Sequence, residues 1–137
     1  MEKVLAITLL ALIAVSATFA YYVVENEGKA GESSFKKEIV NVTLLINFGN
    51  ETWMYNITLE NATVFNALLK AANENGFVVE YTYYGQYDSY FIDSIAGKGG
   101  NGKYWIYYVN GKMGEVGADK KVVKEGDKIE WKLEEFS

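Results

Sequence analysis

The chain has 137 residues, 50% of them apolar and 15% aromatic, and a formal net charge of −5 in which all thirteen positive side chains are Lys. It contains no Cys, His, Pro or Arg, which excludes a disulfide, a thiolate nucleophile, an imidazole base and a Cys/His zinc site. Without Arg an acidic chain also lacks the bidentate clamp for phosphate and guanine, so nucleic acid is not an expected partner.

Val4 to Val24 is uncharged throughout and long enough, as a helix, to cross a bilayer core. Lys3 precedes it, and Tyr21 and Tyr22 stand near its far end, where aromatic rings favour the interface. The segment reads either as an uncleaved signal anchor or as a signal peptide cut after Ala17 or Ala20. Its continuation to Val24, past both candidate sites, favours the anchor. Residues 25–37, ENEGKAGESSFKK, read as a flexible linker. Residues 38–136 form the expected domain, on the outer side of the membrane or secreted.

Val40, Val42, Leu44 and Ile46 alternate with polar residues and predict a half-buried strand. A turn over Phe48–Glu51 leads to a second, on which Trp53, Tyr55, Ile57 and Leu59 share a face. Asn41, Asn50, Asn56 and Asn61 each open an N-x-Thr acceptor pattern. Asn41 and Asn56 fall opposite the apolar faces, so a glycan there is expected to clear the core. The competing reading is a polar outward strand face and nothing more. Thr63 predicts an N-cap, Val64, Ala67, Leu68 and Ala71 recur at helical spacing, and Asn75-Gly76 stops the helix. Phe77, Val79 and Tyr81 resume a strand, and Tyr90–Ile95 forms another. Lys103–Val109 is an aromatic strand closed by an Asn110-Gly111 turn. Ile129, Trp131 and Leu133 mark the last strand.

Helices do not alternate with strands, so the order excludes a doubly wound sheet. It predicts an α+β fold, a β-grasp-like mixed sheet with one packed helix, preceded by the N-terminal transmembrane or signal helix.

Three features bear on chemistry. Gly97–Lys103 has the spacing of a phosphate loop, but Tyr104 stands where Ser or Thr should hold magnesium, and a strand follows where a helix should. It reads as a hairpin loop. Asp88, Asp93, Asp119 and Asp127 fit no calcium-loop spacing and imply no metal. The aromatic residues are the remaining candidates. The Tyr84–Tyr90 segment and the Tyr104–Asn110 strand are expected to line one groove, with Tyr84, Tyr87, Tyr90, Tyr104, Trp105, Tyr107, Tyr108 and Asn110 as ligand-binding residues. No catalytic constellation is present, so the expected role is binding and not catalysis.

The segments Thr63–Leu68, Tyr90–Ile95, Tyr104–Gly111, Gly117–Asp119 and Gly126–Trp131 together resemble the transcobalamin-like C-terminal domain family. The resemblance covers roughly residues 38–136. It implies a β-grasp-like domain of the kind that covers one face of a corrinoid opposite a large helical barrel, and these 137 residues carry no such barrel. It implies an extracellular binding module; taken with the apolar 4–24 segment and the aromatic groove, the expectation is a membrane-anchored module without a resident cofactor, for cobalamin, a related corrinoid or a glycan-like ligand. The alternative is a surface module that docks a partner protein.

Overall fold

The computed structural model describes residues 37–60 and 62–136. The apolar span at 4–24, most of the linker and Asn61 lie outside the described residues. Among the described residues no helix is long and apolar enough to cross a membrane.

Period-two alternation produces the first hairpin. Strand β1, Ile39–Asn47, buries Val40, Val42, Leu44 and Ile46, and β2, Thr52–Glu60, buries Ile57 and Leu59 on the same face. The turn between them closes with Phe48 N–H donating to the Glu51 carbonyl (2.9 Å). Helix α1, Val64–Asn75, begins where the Thr63 side chain accepts from Asn66 N–H (3.1 Å). It stops at Gly76, whose φ of 73° lets its N–H reach the Ala72 carbonyl. Val64, Ala67, Leu68 and Ala71 give it one buried stripe against the inner face of β1 and β2. Leu44, Ile46, Leu68 and Ile129 are all but sealed from solvent, each stabilising the fold by about 1.5–3 kcal/mol.

The remaining strands are β3 (Val79–Tyr84), β4 (Ser89–Ile95), β5 (Lys103–Val109), β6 (Lys112–Met113) and β7 (Lys128–Glu135). A five-stranded sheet runs β2-β1-β7-β5-β6, with β1 and β7 parallel at its centre and every other pair antiparallel. That is the mixed sheet with one helix expected of an α+β chain. The sheet does not take in every strand. β3 and β4 pair only with each other, as a bulged two-stranded ribbon. The chain leaves β4 through a tight loop in which Ile95 and Lys98 exchange backbone hydrogen bonds, both 3.0 Å, and Lys103 N–H returns to Gly100 (3.1 Å). β4 and β5 leave and enter this loop without pairing with each other. Phe77 stays outside β3 and packs instead against Trp53 and Tyr55.

Candidate functional site

The separation of the two sheets creates a cleft between β4 and β5. One chamber, of about 640 Å³, is walled by Tyr84, Tyr87, Phe91, Tyr104 and Phe136, with Asp93 and Lys103 at its margin. The rings pair edge-on: Tyr84 with Phe91 at 5.0 Å and Tyr87 with Phe91 at 6.2 Å between centroids. All five rings are exposed, although aromatic rings normally seek burial. A second chamber, of about 390 Å³, lies towards the core. Tyr90, Tyr107, Trp131 and the Met113–Ala118 loop line it. Tyr87, Phe91, Ile92, Trp105 and Ile106 border both chambers.

Alternation along β5 divides its side chains between two faces. Tyr104 and Ile106 point to one face of the strand, and Trp105 and Tyr107 to the other. Trp105 is 6% exposed, lies edge-on to Phe48 and donates its indole N–H to the Lys98 carbonyl (2.8 Å). Tyr107 is buried, with its hydroxyl donating to the Val116 carbonyl. Burial raises its phenol above the ordinary value. A Cβ on Gly114 would fall within about 2.4 Å of the Tyr107 ring, so only glycine fits there. The chamber floor is thus rigidly built.

The ribbon is tethered as well. Tyr83 donates to Asp88 Oδ1 (2.6 Å), Lys120 reaches Asp88 (3.5 Å) and Asp119 (3.0 Å), and Asp119 accepts from Tyr90 N–H (3.3 Å). The Tyr83 hydrogen bond, and after it Lys120, hold the Asp88 carboxyl below the usual aspartate range. The same hydrogen bond raises Tyr83.

Of the residues singled out in the sequence, Tyr84, Tyr87, Tyr90, Tyr104, Trp105 and Tyr107 meet at the cleft. Tyr108 and Asn110 do not. Tyr108 shares the face of Tyr104 and Ile106 but lies further along β5, where its hydroxyl donates to Glu134 (2.9 Å) and Lys132 sits 4.6 Å above its ring. Asn110 is spent on its own turn. Its side chain bonds Asp127 and Lys128, both at 2.9 Å. Sequence reasoning missed Phe91, Phe136 and Trp131. Phe91 carried a signal, since it neighbours the flagged Tyr90. Phe136 and Trp131 reach the cleft only through the closing of the sheet. Among the described residues no cluster of acidic side chains could hold a metal ion.

Fold and cleft together define an α+β domain with an open aromatic cleft between two sheets. The chain belongs to the family described as a domain of unknown function, DUF4430, whose model matches residues 61–135. No curated relative matches it. Among solved structures it is similar to haptocorrin in complex with Cbi, at a TM-score of 0.65 and 21% identity over 79% of this chain. It spans only 28% of the haptocorrin chain. It is also similar to a Ruminococcus gnavus ATCC 29149 protein provisionally named as metal binding, at a TM-score of 0.55 and 20% identity, over 72% of this chain and 99% of that one. These likenesses establish a transcobalamin-like fold.

Proposed function

We propose that the domain is a non-catalytic binding module, displayed outside the cell on the apolar 4–24 segment or released by its cleavage, with the β4–β5 cleft as its site. One observation carries the reading: five large exposed rings converge on a concave space and not on a flat patch. Concavity favours a small ligand, and ring faces with hydroxyl tips suit a flat, amide-bearing corrinoid or a sugar. The shared fold with haptocorrin in complex with Cbi supports the corrinoid class.

Titration of the full chain with cobinamide, cobalamin and oligosaccharides, followed by tryptophan fluorescence, tests this. A saturable response that Tyr87→Ala or Tyr104→Ala weakens at least about tenfold, or roughly 1.4 kcal/mol, is expected. No response to any class at millimolar concentration overturns the small-ligand reading. A second reading, docking of a polypeptide, is favoured by the free strand edges that border the same cleft.

The outward orientation has its own test. Asn50 and Asn56 are exposed, as are the Thr52 and Thr58 of their sequons. Asn41 is exposed but bonded through its side chain to Glu125 (3.2 Å) and Thr58 (2.6 Å). Glycans are therefore expected on Asn50 and Asn56 before Asn41, and peptide mapping of the native protein checks it. A bare polypeptide mass removes this support for an exterior location.

A further inference from the structure

β5 pairs with β7 along one edge, and its other edge pairs with β6 only at Tyr108 and Val109. Just beyond it Asn110 N–H donates to the Lys128 carbonyl (2.8 Å), and Gly114 N–H donates to the Tyr107 carbonyl (3.0 Å). With Tyr108 opposite Glu130 in the antiparallel register, these bonds fix the parity. Even-numbered residues of β5 bond β7, and odd-numbered residues turn their N–H and C=O groups away from it. Lys103 N–H is taken by Gly100, and Val109 faces β6. Among the described residues nothing bonds the N–H or C=O of Trp105, or the N–H of Tyr107. Both residues are more than nine-tenths buried. Unpaired backbone groups in such surroundings are costly, and native chains give nearly all of them partners.

The facing strand has the complementary edge. Tyr90 N–H points away from β3, to Asp119. Ile92, two residues on in the same register, turns its backbone the same way. A further donor lies deeper: Trp131, 2% exposed, lines the inner chamber, and among the described residues nothing accepts from its indole N–H.

We propose that the gap between β4 and β5 accepts an extended segment of another polypeptide as an inserted strand, joining the ribbon to the five-stranded sheet. The proposal rests on the cleft being a binding site and names an occupant that its edges select. Three features match a peptide. Trp105 offers a donor and an acceptor on one edge, which a neighbouring strand's backbone satisfies at once. Open edges lie on both sides of the gap. The two chambers follow one another along β5 and share Tyr87, Phe91, Ile92, Trp105 and Ile106, so an extended segment in the gap would pass both. The larger aromatic chamber takes bulky apolar side chains. The smaller, with the Trp131 donor, takes side chains carrying an acceptor oxygen, such as Thr. A small ligand on the aromatic wall would compete with the inserted strand.

The test uses the full chain in mild detergent and the blocked heptapeptide Lys-Phe-Thr-Phe-Thr-Phe-Lys, with a version N-methylated at both Thr amides as control. In the free chain the Trp105 and Tyr107 amides should exchange about 100-fold faster than those of Ile106 and Tyr108, because only the latter pair with β7. The heptapeptide should slow both about tenfold or more and shift the Trp131 indole resonance, and the N-methylated peptide should do neither. Equal protection of all four amides in the free chain overturns the proposal, as does equal binding of the two peptides. A response to cobinamide or oligosaccharide with none to the heptapeptide also overturns it, while leaving the binding-module reading intact. Silence from every probe sinks both.

Discussion

The ribbon tip shows how single side chains set the cleft wall. Tyr83, Asp88 and Lys120 form an exposed chain of charge-assisted contacts at the hairpin end. Asp88 is held below its ordinary value by Tyr83 first and Lys120 second. A carboxyl depressed in the folded chain contributes stability that is present above the unfolded value of about 3.9 and is lost as pH falls through the folded one. Tyr83 and Lys120 are shifted upward, so their contributions are complete below the ordinary values and are lost as pH rises through the folded ones. The tip should therefore loosen at both extremes and hold across the neutral range. Carbon-13 titration of the carboxyls should place Asp88 below the ordinary aspartate value, and Tyr83→Phe should move it back upward. An unmoved midpoint in that variant would show that the phenol is not the cause. At the opposite wall, Gly114→Ala drives a methyl into the Tyr107 ring. A loss of about 1–3 kcal/mol is expected from such overpacking, measured by urea unfolding, with a disturbed inner chamber reported by the Trp131 indole resonance.

Helix α1 is fixed by its ends. Thr63 supplies the one side-chain cap at its N-terminus, and Thr63→Ala should cost about 1 kcal/mol. The denaturant midpoint should fall without a change in slope, since the exposed surface is unaltered. Elements of this kind were legible in the sequence because their causes are local. The cap and the Gly76 stop lie within a turn of the residues they bond. The Asn110-Gly111 pair adopts φ of 52° and 82°, as its composition demands. The buried faces of β1 and β2 follow from alternation alone. Alternation does not say which of two faces meets a cleft. Tyr107 and Tyr108 are neighbours of the same type, and only the position of β7 assigns one to the chamber and the other to Glu134. The separation of β3–β4 from the main sheet was illegible for the same reason. Strands joined by the short Ala96–Gly102 loop read as a paired hairpin, and nothing local in the sequence says that β4 and β5 stay in separate sheets. Trp131 carried no signal of its own, since an indole on an apolar strand face reads as core wherever its N–H ends up.

At the scale of the molecule, two of the open strand edges among the described residues are treated differently. The β5 edge opens into the cleft. The other, β2, lies at the far border of the five-stranded sheet. There the Phe48–Glu51 bond and the Leu44–Tyr55 register turn the odd-numbered residues of β2 towards β1. The backbone of Thr52, Met54, Asn56, Thr58 and Glu60 is left at the border. An open edge of that length is a template for another chain, and Met54, 66% exposed, adds an apolar contact beside it. One carbonyl on this edge is already occupied. Lys70, from α1, donates its ammonium to Thr58 C=O and also pairs with Glu74 (3.6 Å). A charged group laid across a strand edge blocks pairing by occupying an acceptor and by placing an ion that an incoming strand would have to desolvate. Lys70→Met, which keeps the aliphatic stem and removes the charge, should therefore let two chains associate through β2. Sedimentation velocity should show a concentration-dependent dimer absent from the parent and from Glu74→Gln, where Lys70 keeps its bond to Thr58. A Lys70→Met variant that sediments as the parent does would mean that β2 is closed to partners by something other than this lysine.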